Sequence, residues 1–202
     1  MGVLLALIAT MLLGALGGSL VTLTNTEALI AANVRDGSET LYAAEAGAEH
    51  VVLDLQQSGA WDDWLSGAAT STFVDGTLAP TLAATNRTVS LPVLTADLQA
   101  ASDAAASWGA NNPQWRLVAY GPLDRLVAGG RSAPEYLAVW LADDPSETDG
   151  DPRRDTNGMV LVRARAFGRG EASRSLELAV ARDATGGAGR AGVRILSWRV
   201  VR

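Results

Sequence analysis

The chain of 202 residues contains no cysteine, no lysine and a single histidine, and these absences limit its chemistry. Without cysteine it forms no disulfide and offers no thiolate as a nucleophile or as a zinc ligand. The lack of disulfides does not fix the compartment, because a domain of this size can fold without them. All 16 basic residues are arginines, and we attach no function to this bias.

Charge is also missing from the start of the chain, where an apolar run extends from Val3 to Thr24 and the first charged residue is Glu27. At about 1.5 Å per residue, a helix over this run is roughly 33 Å long, which is enough to cross the hydrocarbon core of a bilayer. A secretory signal would have basic residues before a shorter apolar region, and a core helix would be polar on one side. The run therefore predicts a membrane anchor.

The flanking charges do not set the orientation of this anchor in a simple way. Basic residues normally remain on the cytoplasmic side, but none precedes the run, and Arg35 follows it at a distance of eleven residues. One resolution is a basic leader in front of Gly2. Within the run, Gly14 and Gly18 form a G-x-x-x-G pair, which lets helices pack closely in lipid but weakens the helix by about 1 kcal/mol per glycine.

Two short blocks follow the apolar run: Asn33-Val-Arg-Asp36 and Tyr42-Ala-Ala-Glu-Ala-Gly47. Together with the residues around them, these blocks resemble the N-terminal region of PilX-type minor pilins, a family of type IV pilin-like proteins. The resemblance covers roughly residues 2–57. It implies a pilin-like fold, with a long N-terminal helix on an antiparallel sheet.

The resemblance also implies processing and partners. A prepilin peptidase would cut after Gly2 and leave Val3 as the methylated first residue. Leu7 would then be the fifth mature residue, where major pilins carry a glutamate, and this difference implies a minor subunit. The implied partners are other pilins, the prepilin peptidase and the assembly platform of the bacterial inner membrane. The chain would cross that membrane once, with its C-terminal domain in the periplasm or in an extracellular pilus.

The second part of the predicted helix carries an apolar stripe with steps of three and four residues. Its members are Leu29, Ala32, Leu41, Ala44, Ala48, Val52 and Leu55. The stripe could pack in a filament core or on the chain's own sheet, and in pilin-like proteins the two coexist. The residues that we expect to pack between helices or in a filament are Gly14, Gly18, Asn33, Arg35, Asp36, Tyr42, Glu45 and Gly47.

Residues 1–57 thus form the predicted membrane-spanning and stalk helix, and residues 58–202 form a globular domain of the α+β class. A short helix is predicted at residues 61–65, irregular structure with short strands at 66–93, and a helix from Thr95, its cap, to Ser107. Alternating patterns then predict five antiparallel strands joined mainly as a meander. These strands are Trp115–Tyr120, Tyr136–Ala142, Met159–Phe167, Ser173–Arg182 and Val193–Val201.

An acidic loop lies between the second and third of these strands. Asp149, Asp151, Asp155 and Asn157 offer the oxygen ligands that calcium prefers. Their spacing does not match an EF-hand, because Arg153 occupies a ligand position and no glutamate closes the loop. We therefore favour a solvated connection and expect no cofactor, with calcium as the alternative.

The other motifs in the sequence indicate structural roles and not binding or catalytic sites. The G-x-G-x-x-G pattern at residues 187–192 precedes a predicted strand instead of a helix, so it indicates a turn and not a dinucleotide site. His50 is expected at the surface of the helix, beside Glu49. The paired acids Asp62-Asp63 and Asp143-Asp144 are adjacent in sequence, and we expect no catalysis from them.

The charges are distributed unevenly along the chain. Residues 1–57 carry six acids against one arginine, whereas residues 160–202 carry nine arginines against three acids. Arg163 and Arg165 alternate on one strand and could join a basic patch for phosphates. Aromatic residues for base stacking are few there, so nucleic acid is not an expected partner.

The sequence therefore predicts a non-enzymatic minor pilin or pseudopilin subunit that takes part in the assembly or priming of a type IV pilus or a related filament. The alternative is a surface adhesin or DNA-capturing module that uses the anchor only as a tether.

Overall fold

The computed structural model describes residues 1–82, 85–105, 111–127, 133–183 and 192–201. The chain divides into two units, residues 1–36 and residues 37–202. Helix α1 (Gly2–Gln57) begins in the first unit and ends in the second.

From Val3 to Thr24, within the first unit, α1 carries no charged residue and is apolar on all sides. Its most apolar 18-residue window has a mean hydropathy of 2.2, and none of that window is buried. Within the described residues, α1 is the one helix that is long and apolar enough to cross a membrane. The prediction of a long, apolar N-terminal helix is confirmed.

The second unit contains the remaining elements in an α+β arrangement. In chain order these are α2 (Trp61–Ser66), β1 (Thr81–Leu82), β2 (Arg87–Thr88), α3 (Leu91–Ala104), β3 (Arg116–Pro122), α4 (Leu123–Leu126), β4 (Tyr136–Asp143), β5 (Met159–Phe167), β6 (Ser173–Asp183) and β7 (Gly192–Val201). Strands β3 to β7 form one antiparallel sheet in the order of the sequence, and β1 pairs with β2. The predicted antiparallel meander of five strands is confirmed, with strand ends within two residues of the predicted ones.

Strand β4 is covered on both faces of the sheet. The C-terminal half of α1 and helix α2 pack on one face, where Leu137, Val139 and Leu141 of β4 enter a single apolar cluster with Leu55. Trp140 and its neighbours on the opposite side of β4 belong to a second apolar cluster with Leu82 of β1 and Leu91 of α3. All eight residues of β4 are buried, as expected for a strand that is covered on both faces.

Helix α1 approaches the sheet closely because its facing residues are small. Thr40, Ala44, Gly47 and Ala48 are buried along this face. A Cβ atom added to Gly47 would lie 3.3 Å from Val139 Cγ2, so the position leaves little room for a side chain. The predicted stripe is buried or half-buried from Leu41 onwards, whereas Leu29 and Ala32 at its start are exposed.

The predicted start of the third helix is wrong. Helix α3 begins at Leu91 and not at Thr95, and its cap is Ser90, whose Oγ accepts a hydrogen bond from Val93 N. Pro92 in the first turn favours this start, because proline lacks the N–H that a first turn leaves unpaired. Thr95 lies inside the helix, where its hydroxyl donates to Leu91 O at 2.9 Å and accepts from Trp140 Nε1 at 2.7 Å. The predicted end at Ser107 lies outside the described residues.

The two edges of the sheet differ. The segment from Ser71 to Asp75 runs along β3 and exchanges backbone hydrogen bonds with Val118 and Tyr120. Asp54 holds this segment to α1, because its Oδ2 accepts from Ser71 Oγ at 2.5 Å and from Thr72 N at 2.9 Å. At the opposite edge, β7 exposes four large apolar residues, namely Ile195, Leu196, Trp198 and Val200.

Substitution of Leu55 tests the packing of α1 on the sheet. Leu55 is 0% exposed and Leu53 is 52% exposed on the same helix. We expect Leu55→Ala to lower the free energy of unfolding by about 2–5 kcal/mol, because it leaves a cavity in the core. Leu53→Ala, the matched control, should change it by less than about 0.5 kcal/mol. The measurement is unfolding of the detergent-solubilised chain followed by near-ultraviolet circular dichroism, and equal effects of the two variants would contradict the packing.

Substitution of Tyr136 tests whether its buried hydroxyl stabilises the fold at high pH. Its hydroxyl donates to Thr77 O at 2.6 Å, and burial raises the pKa of Tyr136 to about 12. Because the fold favours the neutral phenol, this stabilisation is present below pH 10 and is lost as the pH rises from 10 towards 12. Tyr136→Phe should remove that part of the pH dependence, and Tyr42→Phe, at an exposed site, should not. An equal loss of stability between pH 10 and pH 12 in Tyr136→Phe and in the wild type would contradict this assignment.

Candidate functional site

The first candidate site is the exposed surface of α1 in the first unit. Its hydroxyl side chains donate to backbone carbonyls of the preceding turn, as in Ser19 to Ala15 O at 2.8 Å and Thr22 to Gly18 O at 3.0 Å. These hydroxyl groups therefore need no water molecule as a hydrogen-bond acceptor. A helix surrounded by lipid must satisfy its polar groups in this way.

One face of this segment is lined by small residues. A shallow groove runs along Ala15, Gly18, Ser19, Thr22 and Thr26, and the larger Leu23 also lines it. A Cβ atom added to Gly14 or Gly18 would meet no other atom within 4 Å. Small residues at such spacing allow the backbones of two helices to approach each other closely in a membrane.

The residues implied by the pilin resemblance occupy different environments. Gly2 and Val3 are exposed at the start of α1, and Asn33 and Arg35 are exposed further along it. In the second unit, Tyr42 is exposed and Glu45 is half-buried, whereas Gly47 is buried against β4 of its own chain. Asp36, at the end of the first unit, is half-buried.

A second candidate site is a buried cluster of carboxylates in the second unit. Asp143 at the end of β4, Glu147 in the following loop and Asp155 before β5 each place one carboxylate oxygen within 4.8 Å of the others. Asp143 is 0% exposed and Glu147 is 5% exposed, and the side chain of Asp155 is 1% exposed. Three acids at this spacing repel one another, and burial removes the water that would solvate their charges.

Backbone and side-chain donors fix two members of this cluster. Glu147 Oε1 accepts from Thr156 N and Asn157 N, both at 2.8 Å. Asp155 Oδ1 accepts from Gly158 N at 2.6 Å, and Asp155 Oδ2 lies 3.2 Å from Arg182 Nη2. Backbone N–H groups of the acidic loop therefore donate hydrogen bonds to carboxylates of the same loop.

Asp143 is less well compensated. Its Oδ2 accepts a hydrogen bond from Asn111 Nδ2 at 2.6 Å, while its Oδ1 is buried without a partner. Burial raises the pKa of Asp143 to about 7, and the negative charges of Glu147 and Asp155 act in the same direction. Burial also raises the pKa of Asp155.

The sequence located the loop but not this set of residues. Of the four residues named as calcium ligands, Asp155 belongs to the cluster and Asn157 lies beside it, donating to Asp144 Oδ2 at 2.9 Å. Asp149 and Asp151 are exposed, and each accepts a hydrogen bond from a backbone N–H two residues later. Asp143 and Glu147 were missed, although Asp143 continues the inward-facing register of alternate residues in β4.

The contacts of His50 indicate a structural role. Its Nε2 lies 3.0 Å from Thr72 Oγ1 and 3.6 Å from Asp54 Oδ2, and its ring meets Phe73 edge to face at 5.9 Å. In a catalytic triad the acid and the nucleophile face opposite ring nitrogens, whereas both groups face Nε2 here. His50 is half-buried, where a surface position was predicted.

The arginines of β5 do not form a free basic row. Arg163 Nη1 and Arg199 Nη2 share the carboxylate of Glu177, at 3.5 and 2.5 Å. The guanidinium of Arg165 lies over the ring of Phe167 at 5.1 Å. Burial lowers the pKa of Arg163 and of Arg165. Of the other arginines counted in the predicted patch, those at 190 and 202 lie outside the described residues.

The glycine motif at residues 187–192 also lies outside the described residues, apart from Gly192. Strand β7 begins at that glycine, one residue before the predicted start at Val193. Comparisons with protein-family models, curated proteins and solved structures find no match to this chain.

A conservative change at Glu147 tests whether the carboxylate holds the acidic loop closed. Glu147→Gln replaces an acceptor facing Thr156 Oγ1 by a donor and removes the charge. A loss of about 1–2 kcal/mol would make the open loop roughly 5–30 times more populated. We therefore expect faster trypsin cleavage after the exposed Arg153 and Arg154, measured by mass spectrometry.

The matched control for this cleavage is Asp149→Asn. Asp149 is an exposed acid of the same loop and is not in the carboxylate cluster, so its cleavage rate should remain within about twofold of the wild-type rate. Equal rates for wild type and Glu147→Gln would show that Glu147 does not hold the loop.

Proposed function

We propose that this chain is a non-enzymatic minor subunit of a type IV pilus or a related filament, anchored in the membrane by the start of α1. The observation that carries this proposal is the change of environment along α1. All residues from 2 to 35 are exposed. From Gly37 onwards, one side of the helix is buried in the core of the second unit.

An exposed apolar helix needs a partner other than water. An 18-residue window with a mean hydropathy of 2.2 and no buried residue is far more apolar than an ordinary protein surface. Lipid is one such environment, and the apolar interior of a helical filament is another. The glycine-containing groove along Ala15, Gly18 and Thr22 suits close contact with a second helix.

The resemblance to PilX-type minor pilins supplies the biological setting of the proposal. It rests on the blocks Asn33–Asp36 and Tyr42–Gly47, which lie where α1 passes from exposed to buried positions. The proposed partners are other pilins, a prepilin peptidase acting after Gly2 and an inner-membrane assembly platform. The C-terminal domain would lie in the periplasm or on the filament.

The decisive experiment is proteomics of sheared filaments from the native host, with sequencing of the mature N-terminus. We expect the chain in the filament fraction with methylated Val3 at its start, and we expect deletion to abolish piliation. Recovery of only the unprocessed chain from the membrane would overturn the proposal. Intact pili with lost adhesion or DNA uptake would support the alternative of a tethered adhesin or DNA-capturing module.

Paired arginine substitutions separate anchoring from assembly. Leu12→Arg with Leu13→Arg places two charges near the middle of the span, at an insertion cost of about 2.5–3.5 kcal/mol each. We expect this variant to be depleted from carbonate-washed membranes. The matched control, Leu29→Arg with Ile30→Arg, alters two exposed residues beyond the span and should remain in the membrane.

The control variant, Leu29→Arg with Ile30→Arg, also tests filament assembly. If the exposed segment after the span packs in a filament, the Leu29→Arg and Ile30→Arg variant should be anchored but absent from sheared filaments. Unchanged membrane recovery of the Leu12→Arg and Leu13→Arg variant would show that the apolar run is not the anchor.

A further inference from the structure

The carboxylate cluster at the end of β4 carries more negative charge than its protein surroundings neutralise. Asp143, Glu147 and Asp155 lie together, and their side chains are almost completely removed from solvent. Within the described parts of the chain, one ion pair reaches the cluster, between Arg182 Nη2 and Asp155 Oδ2 at 3.2 Å. A group of three buried acids with one arginine is costly to maintain when all three are ionised.

Two buried oxygen atoms beside the cluster have no hydrogen-bond partner. They are Asn111 Oδ1 and Asp143 Oδ1, and both residues are 0% exposed. The amide of Asn111 is oriented by its Nδ2, which donates to Asp143 Oδ2 at 2.6 Å and to Asp144 O at 3.0 Å. With Nδ2 held in this way, Asn111 Oδ1 is buried without a donor, and native proteins rarely leave such atoms unpaired.

A bound cation accounts for both observations. It supplies positive charge to the three carboxylates, and it needs only oxygen lone pairs, which the two unpaired atoms offer. The available donors are all carboxylate or amide oxygens, a set that favours a hard cation over zinc or copper. The chain has no cysteine, and its one histidine, His50, lies against Thr72 and Asp54.

The spacing and the loop favour calcium among the hard cations. Oxygens at about 2.3–2.6 Å from one Ca²⁺ ion are separated by no more than about 4.6–5.2 Å, which agrees with carboxylates that lie within 4.8 Å of one another. Calcium also accepts irregular geometry from loop ligands, whereas magnesium requires an octahedron and retains several waters. Glu147 and Asp155 are already oriented by backbone N–H groups of residues 156–159.

We propose that Asp143, Glu147 and Asp155, together with Asn111 Oδ1, form a Ca²⁺ site that joins the end of β4 to the start of β5. The site ties the acidic loop to the segment before β3, from which Asn111 comes. This proposal is independent of the filament role, because it concerns residues of the second unit alone and its test requires no other subunit.

The test uses the full chain in a non-ionic detergent, freed of metal by a chelator that is then removed. Titration with CaCl₂ in a calorimeter should show one Ca²⁺ per chain with a submillimolar dissociation constant. The melting temperature should rise by more than about 3 °C at saturating Ca²⁺. No heat and no thermal shift up to 5 mM Ca²⁺, on the order of the weakest protein calcium sites, would overturn the proposal, as would tighter binding of Mg²⁺ than of Ca²⁺.

Two substitutions test whether the proposed residues bind Ca²⁺. Asp143→Asn keeps the side-chain shape and an acceptor for Asn111 but removes one ligand charge, so we expect at least about tenfold weaker Ca²⁺ binding. Asn111→Ala removes the unpaired amide oxygen and should weaken binding in the same direction. Near-ultraviolet circular dichroism of both variants without Ca²⁺ should match that of the wild type, which separates lost binding from lost folding.

The matched control removes two charges from the same loop outside the cluster. Asp149→Asn with Asp151→Asn alters two exposed acids and should leave the dissociation constant within about twofold of the wild-type value. If this control loses binding as strongly as Asp143→Asn, the loop attracts cations only by its overall charge, and the proposed site is wrong. Unchanged binding in Asp143→Asn would overturn it equally.

Discussion

The close contact between α1 and the sheet is the constraint on which the rest of the second unit depends. Small side chains at Ala44, Gly47 and Ala48 allow the helix backbone to lie against Leu137 and Val139. Larger residues would separate the two layers and open the cluster that also contains the tryptophans of α2. The same contact explains why the helix can be apolar throughout and yet have two environments. Residues 2–35 of the helix are exposed, whereas much of its C-terminal part is buried.

The fold was predictable because its signals are local and strong. An uncharged run sustained from Val3 to Thr24 indicates a helix without reference to the rest of the chain, and alternation within each strand indicates the sheet. The start of α3 was less predictable, since Ser90 and Thr95 are both ordinary caps and the choice depended on Pro92 in the first turn. Which part of the apolar stripe packs on the sheet was not predictable, because periodicity cannot show where along a helix the sheet begins.

The candidate cation site could be only partly predicted. Acid-rich composition drew attention to the loop, but composition gives equal weight to Asp149, which is exposed, and to Asp143, which is buried. The burial of Asp143 follows from its register with Leu141, a signal that the sequence does contain. Asn111 carries no such signal. It precedes β3 by a few residues and reaches the loop only because β3 and β4 are neighbours in the sheet.

The order of the strands has a consequence for the folding pathway. Each strand of the main sheet pairs only with its neighbours in sequence, so each pairing closes a comparatively short loop. The apolar cluster that contains the buried residues of α1 also contains Leu176 and Leu178 of β6, more than a hundred positions further along the chain. Contacts of such separation cost the most chain entropy and slow folding. We therefore expect the hairpins of the sheet to form early and the docking of α1, which completes the core, to follow them.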